Sequence, residues 1–243
     1  MELAGRVALV TGAGQRLGRA IAAALAGRGM RLAIHYHASD AGARALEREI
    51  AAAGGESACF AADLTDAAQA RALPAQVVER FGALDVLINS AAIMRHLSFE
   101  ETTPADWDQV VNLNLRAVFF CTQGAAAALR AARGKVVNLA DLGGLEPWPG
   151  YAAHSVSKAG VVMLTKVLAR SLAPDVTVNA VAPGTVLVPD SYDDAQRERL
   201  AAATPLRRLG RPEDAIEAIL YLLERGDFVT GDTLVVDGGR LLR

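Results

Sequence analysis

The sequence predicts an α/β protein with a doubly wound sheet of seven parallel strands. Three observations indicate this fold. Short β-rich runs alternate with Ala-rich helical stretches along the chain. Most β-rich runs are continuously apolar, as expected for strands that are covered on both faces. Helical crossovers between successive strands make those strands parallel. No linker-like stretch or internal repeat interrupts the pattern, so we expect a single domain over residues 1–243.

The predicted elements alternate in a regular order. The strands read RVALVTG, RLAIHYH, SACFAAD, LDVLINS, KVVNLAD, VTVNAVAPG and TLVVDGG. The helices between them include RLGRAIAAALAGRG, AGARALEREIAAAGG and SKAGVVMLTKVLARSLA. A further helix should begin in TPADWDQVV, with Thr103 as its cap, Pro104 as its first residue and Asp106 in its first turn. In such a sheet the ligand binds beyond the carboxyl ends of the strands, so polar residues there are the functional candidates.

Composition excludes several classes of protein. Hydrophobic residues make up 52% of the 243 residues, which is enough for a sizeable core, and the net charge of -2 favours neither nucleic acid nor an anionic membrane. Cys59 and Cys121 lie in apolar runs without metal-ligand spacing, so we expect free thiols and no metal. We see no signal peptide and no apolar run near the ~20 residues of a membrane helix. These features predict a cytoplasmic protein that acts on a small molecule.

The stretch VTGAGQRLGRAIA follows the first strand and opens the first helix. Glycines in such a turn let the backbone approach a pyrophosphate, whose charge is stabilised at the helix N-terminus. The residues expected nearest to the phosphates are Gly12, Leu17 and Gly18. A Gly-rich turn alone is weak evidence, but its place in this α/β chain predicts a dinucleotide site.

The end of the second strand favours NADP(H) over NAD(H). An NAD site usually carries an acid about 20 residues after the turn. Here the strand ends HYHAS, position 37 is His37, and the first acid is Asp40. Arg16 supplies a cation and Ser39 a hydrogen-bond donor where a 2′-phosphate would lie. The alternative is that Arg16 and His37 are ordinary solvated surface residues.

Six motifs in chain order carry a resemblance to a known family. They read TGAGQRLG, AADLTD, INSAA, NLNLRAVF, YAAHSVSK and NAVAPGTV. Over essentially its whole length the chain resembles the short-chain dehydrogenase/reductases, and among them most of all the pteridine reductases. Arg16 stands where most relatives have Gly, HYHAS resembles the subgroup's second strand end, and Asp141 replaces the usual catalytic Ser. The resemblance implies a single-domain Rossmann fold, an NADP(H)-dependent oxidoreductase and a homotetramer.

The resemblance also places residues along the cofactor. From adenine through ribose to nicotinamide, they are Asp63 and Leu64, Asn89 and Ala91, and Pro183 and Gly184. Lys158 would bind the nicotinamide ribose and tune the neighbouring acid. Asn114 would hold the water of a proton relay, and Asn112 is the alternative match for that role.

The chain departs from the family at the proton donor. The resemblance implies a Tyr four residues before Lys158, and this chain has His154 there. A free imidazole titrates near ~6.5 and a free phenol near ~10, so His already lies in a useful range for an acid. Lys158 should favour the neutral imidazole and Asp141 the charged one. We therefore predict His154 as the donor, with Asp141 as its orienting partner.

Two alternatives to this donor stay open. An imidazole is shorter than a phenol, and misplacement by an ångström costs roughly 10²-fold in rate. His154 would then mark a site whose chemistry is lost, in a weak or inactive NADP(H)-binding sensor or partner subunit. In the second alternative, Tyr151, three residues earlier, replaces it as the donor.

The substrate side also departs from the subgroup. Pteridine reductases stack the pterin on an aromatic side chain after the fourth strand, where this chain has Met94 in NSAAIMRH. Ala92 lacks a hydroxyl that relatives carry there. Trp148 and Tyr151 are the aromatic candidates for substrate contact from another loop, and the alternative for Trp148, which stands between two prolines, is a structural role in packing. The leading hypothesis is an NADPH-dependent reductase of a carbonyl or C=N group in a small, pterin-like molecule.

Overall fold

The computed structural model describes residues 1–188 and 192–242. All seven predicted strands form one parallel sheet in the order β3-β2-β1-β4-β5-β6-β7. In chain order they are β1 Val7–Val10, β2 Arg31–Tyr36, β3 Ser57–Ala61, β4 Val86–Asn89, β5 Lys135–Leu139, β6 Thr177–Pro183 and β7 Thr233–Val236. The predicted α/β fold class is confirmed.

Helices connect successive strands and cover both faces of the sheet. They are α1 Arg16–Gly27, α2 Asp40–Ala52, α3 Ala67–Phe81, α4 Pro104–Val111, α5 Ala117–Ala132, α6 Ala152–Leu172, α7 Asp194–Ala202 and α8 Pro212–Glu224. The cap predicted for α4 is present, because Thr103 Oγ1 accepts a hydrogen bond from the Asp106 amide. Among the described helices, none is long and apolar enough to cross a membrane.

The core consists of one apolar layer on each face of the sheet. Successive residues of β1 alternate between the layers: Val7 and Leu9 pack with α3, α5 and α6, whereas Ala8 and Val10 pack with α1, α2 and α8. These four side chains are fully buried. Burial of each larger one contributes about 2 kcal/mol.

Sheet order and register position the ligand site. The order reverses at β1, which pairs with β2 on one side and with β4 on the other. Val10 lies opposite both Ile34 and Ile88, so the carboxyl ends of these three strands meet at one edge. A crevice at this reversal point is where open α/β sheets bind their ligands.

Candidate active site

A cavity of about 800 Å³ lies at the carboxyl edge of the sheet. It extends from the turn after β1 to the first turn of α6. Most of the predicted cofactor residues line it: Gly12, Arg16, Leu17, Gly18, His37, Ser39, Asp63, Leu64, Ala91, Lys158, Pro183 and Gly184. The same cavity is lined by Asp141, His154 and Met94. One continuous space therefore joins the predicted phosphate turn to the predicted acid.

The phosphate turn is tightly packed beneath the cavity. Gly12 has φ +67, and a Cβ there would lie 2.9 Å from the Ala91 Cα. A Cβ on Gly18 would lie 2.4 Å from the Gly12 carbonyl oxygen. Thr11 Oγ1 accepts hydrogen bonds from the amides of Ser90 (2.9 Å) and Ala91 (3.0 Å), which fixes the β4 loop against the turn. Only glycine fits this close approach, so the turn suits a phosphate cradle.

The end of the cavity next to the phosphate turn carries positive and hydrogen-bonding groups. Arg16 is exposed and has φ +52, a left-handed conformation that costs a non-glycine residue about 1 kcal/mol. In the described part of the chain, Arg16 takes part in no ion pair. His37 is also exposed, and Ser39 packs against Gly14 of the turn. These groups are free to meet an anion.

Asp40, the first acid after β2, does not line the cavity, where an acid that binds the ribose of NAD would lie. It begins α2, where its carboxylate lies 3.4 Å from the Arg44 guanidinium. A hydrogen bond involving Asp40 raises the pKa of Tyr36. Asp63 accepts hydrogen bonds from the Thr65 hydroxyl (2.7 Å) and amide (2.9 Å), which lower its pKa. The adenosine end therefore lacks a free acid directly after β2.

The opposite end of the cavity holds a histidine–aspartate pair. His154 lies in the first turn of α6, and its Nε2 is 2.6 Å from Oδ2 of Asp141, two residues beyond β5. The side chain of His154 is 4% exposed and that of Asp141 is 22% exposed. Asp141 Oδ1 is buried and has no hydrogen-bond partner among the described residues. Asp141 as a whole lines the cavity, and its Oδ2 is the carboxylate oxygen bonded to His154.

The second nitrogen of His154 has two neighbours of opposite character. Nδ1 lies 3.2 Å from the Ile93 carbonyl oxygen, an acceptor, and 3.4 Å from Nδ2 of Asn114, a donor. The carbonyl suits a protonated Nδ1, whereas the amide suits a bare one. The ring is therefore hydrogen-bonded in both its charged and its neutral form.

The chain is similar to known reductases over almost its whole length. The family model described as Enoyl-(Acyl carrier protein) reductase matches residues 12–240. A 3-oxoacyl-(acyl-carrier-protein) reductase of Staphylococcus aureus is 39% identical over 237 residues, 96% of each chain. The one of Synechocystis sp. is 37% identical and matches 99% of this chain and 98% of its own. The chain belongs to the short-chain dehydrogenase/reductase family.

Solved members of this family have the same fold. A dehydrogenase/reductase from Sinorhizobium meliloti superposes with a TM-score of 0.91 at 37% identity, covering 98% of this chain and 97% of its own. A blue fluorescent protein from a metagenomic library, in complex with NADPH, gives a TM-score of 0.92 at 31% identity, with 99% of each chain covered. The pteridine reductase subgroup stays a prediction, because none of these four relatives is named as a pteridine reductase.

The charges at the reacting end support one another. Burial alone would raise the pKa of Asp141, but the hydrogen bond from His154 and the positive charge of Lys158 outweigh it, so the pKa is lowered. Burial lowers the pKa of Lys158, and the Asp141 charge opposes this shift. Lys158 Nζ donates a hydrogen bond to the Leu139 carbonyl.

Asn114 is buried and contacts His154 of the histidine–aspartate pair. It lies in a π-helical turn, Asn112–Arg116, between α4 and α5. Its Oδ1 accepts from the Ile93 amide and its Nδ2 donates to the Ile93 carbonyl, both at 2.9 Å. Nδ2 also donates to Ser157. Asn114 does not line the cavity, and its water-holding role stays a prediction.

Three predicted contact residues do not line the cavity with their side chains, and their roles stay predictions. Asn89 is 4% exposed, and its Nδ2 donates to Thr122 and Asn138, so its side chain lies in the core. Neither Trp148 nor Tyr151 lines the cavity. Their aromatic rings pack on each other instead, with centroids 6.1 Å apart. The predictions took these residues from their place in the sequence, which does not show where a side chain points.

Sequence reasoning missed the contact that Trp148 makes with His154. The indole and imidazole rings are parallel within 5°, with centroids 6.2 Å apart. Trp148 Nε1 donates to Glu146 Oε1 at 2.9 Å. A Cβ on Gly143 would lie 2.8 Å from the indole, so this glycine makes room for it. Trp148 thus packs on the imidazole, and its contact with substrate stays a prediction.

Proposed function

We propose that the chain is an NADPH-dependent oxidoreductase that reduces a carbonyl or C=N group of a small molecule, with its proton supplied by the His154–Asp141 pair. The observation that carries this proposal is the 2.6 Å contact between Nε2 and Oδ2 at one end of a cavity whose other end is a phosphate turn. A reductase needs both ends in one space, because hydride and proton must reach the same double bond.

The residues of the cavity fit NADPH. The Gly12 turn and the start of α1 would receive the pyrophosphate, and Arg16, His37 and Ser39 would receive the 2′-phosphate. Lys158, Pro183 and Gly184 lie in the same cavity near the pair, where the nicotinamide end is expected. The NADPH complex of a family member with the same fold supports this assignment. When bound, NADPH supplies the hydride.

The proton travels along the existing hydrogen bond. His154 in its charged form donates from Nε2 to Oδ2 of Asp141. As negative charge grows on the substrate atom, this proton moves to Oδ2, and the carboxyl group passes it on. Asp141 ends as it began, and His154 ends neutral. This route gives Asp141 the contact with substrate because His154 is the more buried of the two.

The proposed substrate is a carbonyl compound first and a pterin second. The curated relatives named above are 3-oxoacyl-(acyl-carrier-protein) reductases, which supports a ketone. Met94, at the position expected to stack on a pterin, is 57% exposed and has no aromatic face. A flat ring can still contact its sulfur, so the pterin-like substrate predicted from the sequence remains the second candidate.

One observation favours a different function, an NADP(H)-binding protein with little or no turnover. Both nitrogens of His154 already have protein partners, so the ring could be a purely structural element. Such a protein would bind NADPH and gain thermal stability from it. It would not consume NADPH with any substrate.

The deciding experiment measures NADPH oxidation by absorbance with a short 3-oxoacyl thioester, a dihydropterin, a quinone and a cyclic imine. We expect turnover with the thioester or another carbonyl, and His154→Ala should lower kcat by 10²–10⁴-fold. The Kd for NADPH should change less than threefold in that variant. His96→Ala, an exposed histidine outside the cavity, is the control. Undiminished turnover in His154→Ala would refute the assigned role, and absence of turnover with intact NADPH binding would favour the binding protein.

We also propose that the chain self-associates, as a tetramer by family resemblance. Val156, Met163 and Val167 lie on one face of α6 and are 52%, 58% and 49% exposed. An apolar face of this kind suits a contact with a second copy. Sedimentation equilibrium measures the oligomeric state directly. The unpaired Cys59 and Cys121 fit the cytoplasmic location expected from the sequence.

A further inference from the structure

A second histidine, His35, lies in the wall of the cavity at its phosphate end. It belongs to β2 and is 2% exposed. Its Nδ1 is 3.0 Å from the Gly12 amide nitrogen, and its Nε2 is 3.1 Å from the Ala62 carbonyl oxygen. The amide can only donate and the carbonyl can only accept. These partners require a bare Nδ1 and a protonated Nε2, which is one neutral tautomer.

The same residue also holds the next amide of the turn. The His35 carbonyl accepts a hydrogen bond from the Ala13 amide at 2.8 Å. Two consecutive amides of the phosphate turn, those of Gly12 and Ala13, are therefore fixed by one residue of β2. Ala62, bonded to the other side of the ring, directly precedes Asp63 at the adenine end. His35 thus joins the phosphate turn to the loop after β3.

We propose that His35 is a positioning residue for the dinucleotide, whose neutral imidazole holds the Gly12 turn and the Ala62 carbonyl in the arrangement that receives the cofactor. This inference rests on the proposed NADPH site. It assigns no contact with the cofactor to His35 itself. Its physical basis is that a buried ring with one acceptor and one donor fits only a partner pair of the complementary kind.

Charge on this ring would break the arrangement. Burial lowers the pKa of His35 to about 4, which the hydrogen bond to Ala62 opposes and the positive potential of His37 reinforces. The other titratable or charged side chains that line this end of the cavity are His37 after β2, Asp63 after β3 and Arg16 in the turn, and none is hydrogen-bonded to the ring. A protonated Nδ1 would point a hydrogen at the Gly12 amide hydrogen.

The sign of the pH effect follows from the lowered pKa. The unfolded chain takes up a proton on His35 near pH 6.5, whereas the folded chain does so only near pH 4. Stability contributed by the neutral ring is therefore complete above pH 6.5 and is lost as the pH falls towards 4. Between pH 7 and pH 4.5 this one residue should lower the folding equilibrium constant on the order of 50-fold.

The test compares three variants by NADPH fluorescence titration at pH 7. In His35→Asn, the amide oxygen stands where Nδ1 stood and keeps the bond to Gly12, so the Kd should stay within threefold of wild type. In His35→Gln, which reaches towards Ala62 instead, and in His35→Leu, which bonds to neither, the Kd should rise at least tenfold. Urea unfolding at pH 7 and pH 4.5 should show the 50-fold acid loss in wild type but not in His35→Asn.

The possible outcomes test the positioning role of His35, its neutral tautomer and the cofactor site separately. Equal NADPH affinity in wild type and His35→Leu overturns the positioning role. An equal acid loss in wild type and His35→Asn overturns the neutral tautomer, which ¹⁵N shifts of the ring at pH 6 also report without cofactor. If His35→Leu does not fold, the ratio between the Gln and Asn variants decides. A wild-type chain that binds no NADPH refutes the proposed cofactor site, and the positioning role with it.

Discussion

The two ends of the cavity are built on different principles. At the phosphate end, Arg16 and His37 are exposed and no described ion pair includes Arg16. At the reacting end, His154 is 4% exposed and already bonded to Asp141. The first end presents groups that a ligand must neutralise, whereas the second presents groups that neutralise one another. The comparison shows why changes at one end should affect binding and changes at the other should affect turnover.

The largest expected effect on kcat comes from replacing His154, Asp141 or both. His154→Tyr alone should lower kcat about 100-fold or more, because the introduced phenol meets the Asp141 carboxylate, which raises the pKa of a phenol. Asp141→Ser alone should do the same, because the carboxylate that takes the proton from His154 Nε2 in the proposed route is lost. The double variant restores the pattern that the family resemblance implies. Its kcat should exceed that of either single variant at least tenfold.

This double-mutant cycle sharpens the comparison between the ends. Steady-state kinetics with NADPH give kcat for all four proteins, and the Kd for NADPH should change less than threefold among them. Additive losses in the double variant would mean that His154 and Asp141 do not act as a unit. If the variants at His154 and Asp141 weakened only NADPH binding, the phosphate end and the reacting end of the cavity would not be separate in function.

An intermediate effect is expected from Arg16→Gly at the phosphate end. The affinity for NADPH should fall about tenfold, because a charge-assisted hydrogen bond to phosphate is lost. The free energy of unfolding should rise by about 0.5–1 kcal/mol, because glycine adopts φ +52 without strain. Isothermal titration measures the loss of NADPH affinity, and urea unfolding measures the gain in stability.

Arg133 provides the matched control for that variant. It ends α5 with φ +49 and does not line the cavity. Arg133→Gly should give the same gain in stability and leave NADPH affinity unchanged. NADH lacks the 2′-phosphate, so its affinity should be equal in wild type and Arg16→Gly. A tenfold loss for NADH as well would remove the assignment of Arg16 to the 2′-phosphate.

The smallest effect is expected from Trp148→Phe. A parallel aromatic contact contributes about 0.5–1.5 kcal/mol, and phenylalanine keeps part of it. The value of kcat should therefore fall three- to tenfold while the Kd for NADPH is unchanged. Trp107→Phe, on α4 and outside the cavity, should have no effect on either quantity. A change in NADPH affinity without a change in kcat would show that Trp148 serves the cofactor instead of His154.

The phosphate turn was largely predictable from the sequence. Gly12 and Gly18 flank a turn between a strand and a helix, and the need for glycine arises from neighbours within a few residues or in the adjacent strand. Asn89, Trp148 and Tyr151 were placed by sequence position alone. Their side chains pack against Thr122, His154 and His96, respectively, which lie from 6 to 55 residues away along the chain.

The sequence by itself determined the strands, the order of helices, the phosphate turn and the absence of an acid directly after β2. These follow from local conformational preference and from the period of apolar residues, which each segment carries within itself. Only the tertiary structure decided that His154 faces Asp141, that Trp148 lies on its ring and that His35 holds the Gly12 turn. Such contacts join β2 to the turn after β1, and β5 to α6. They depend on packing directions that a sequence pattern does not specify.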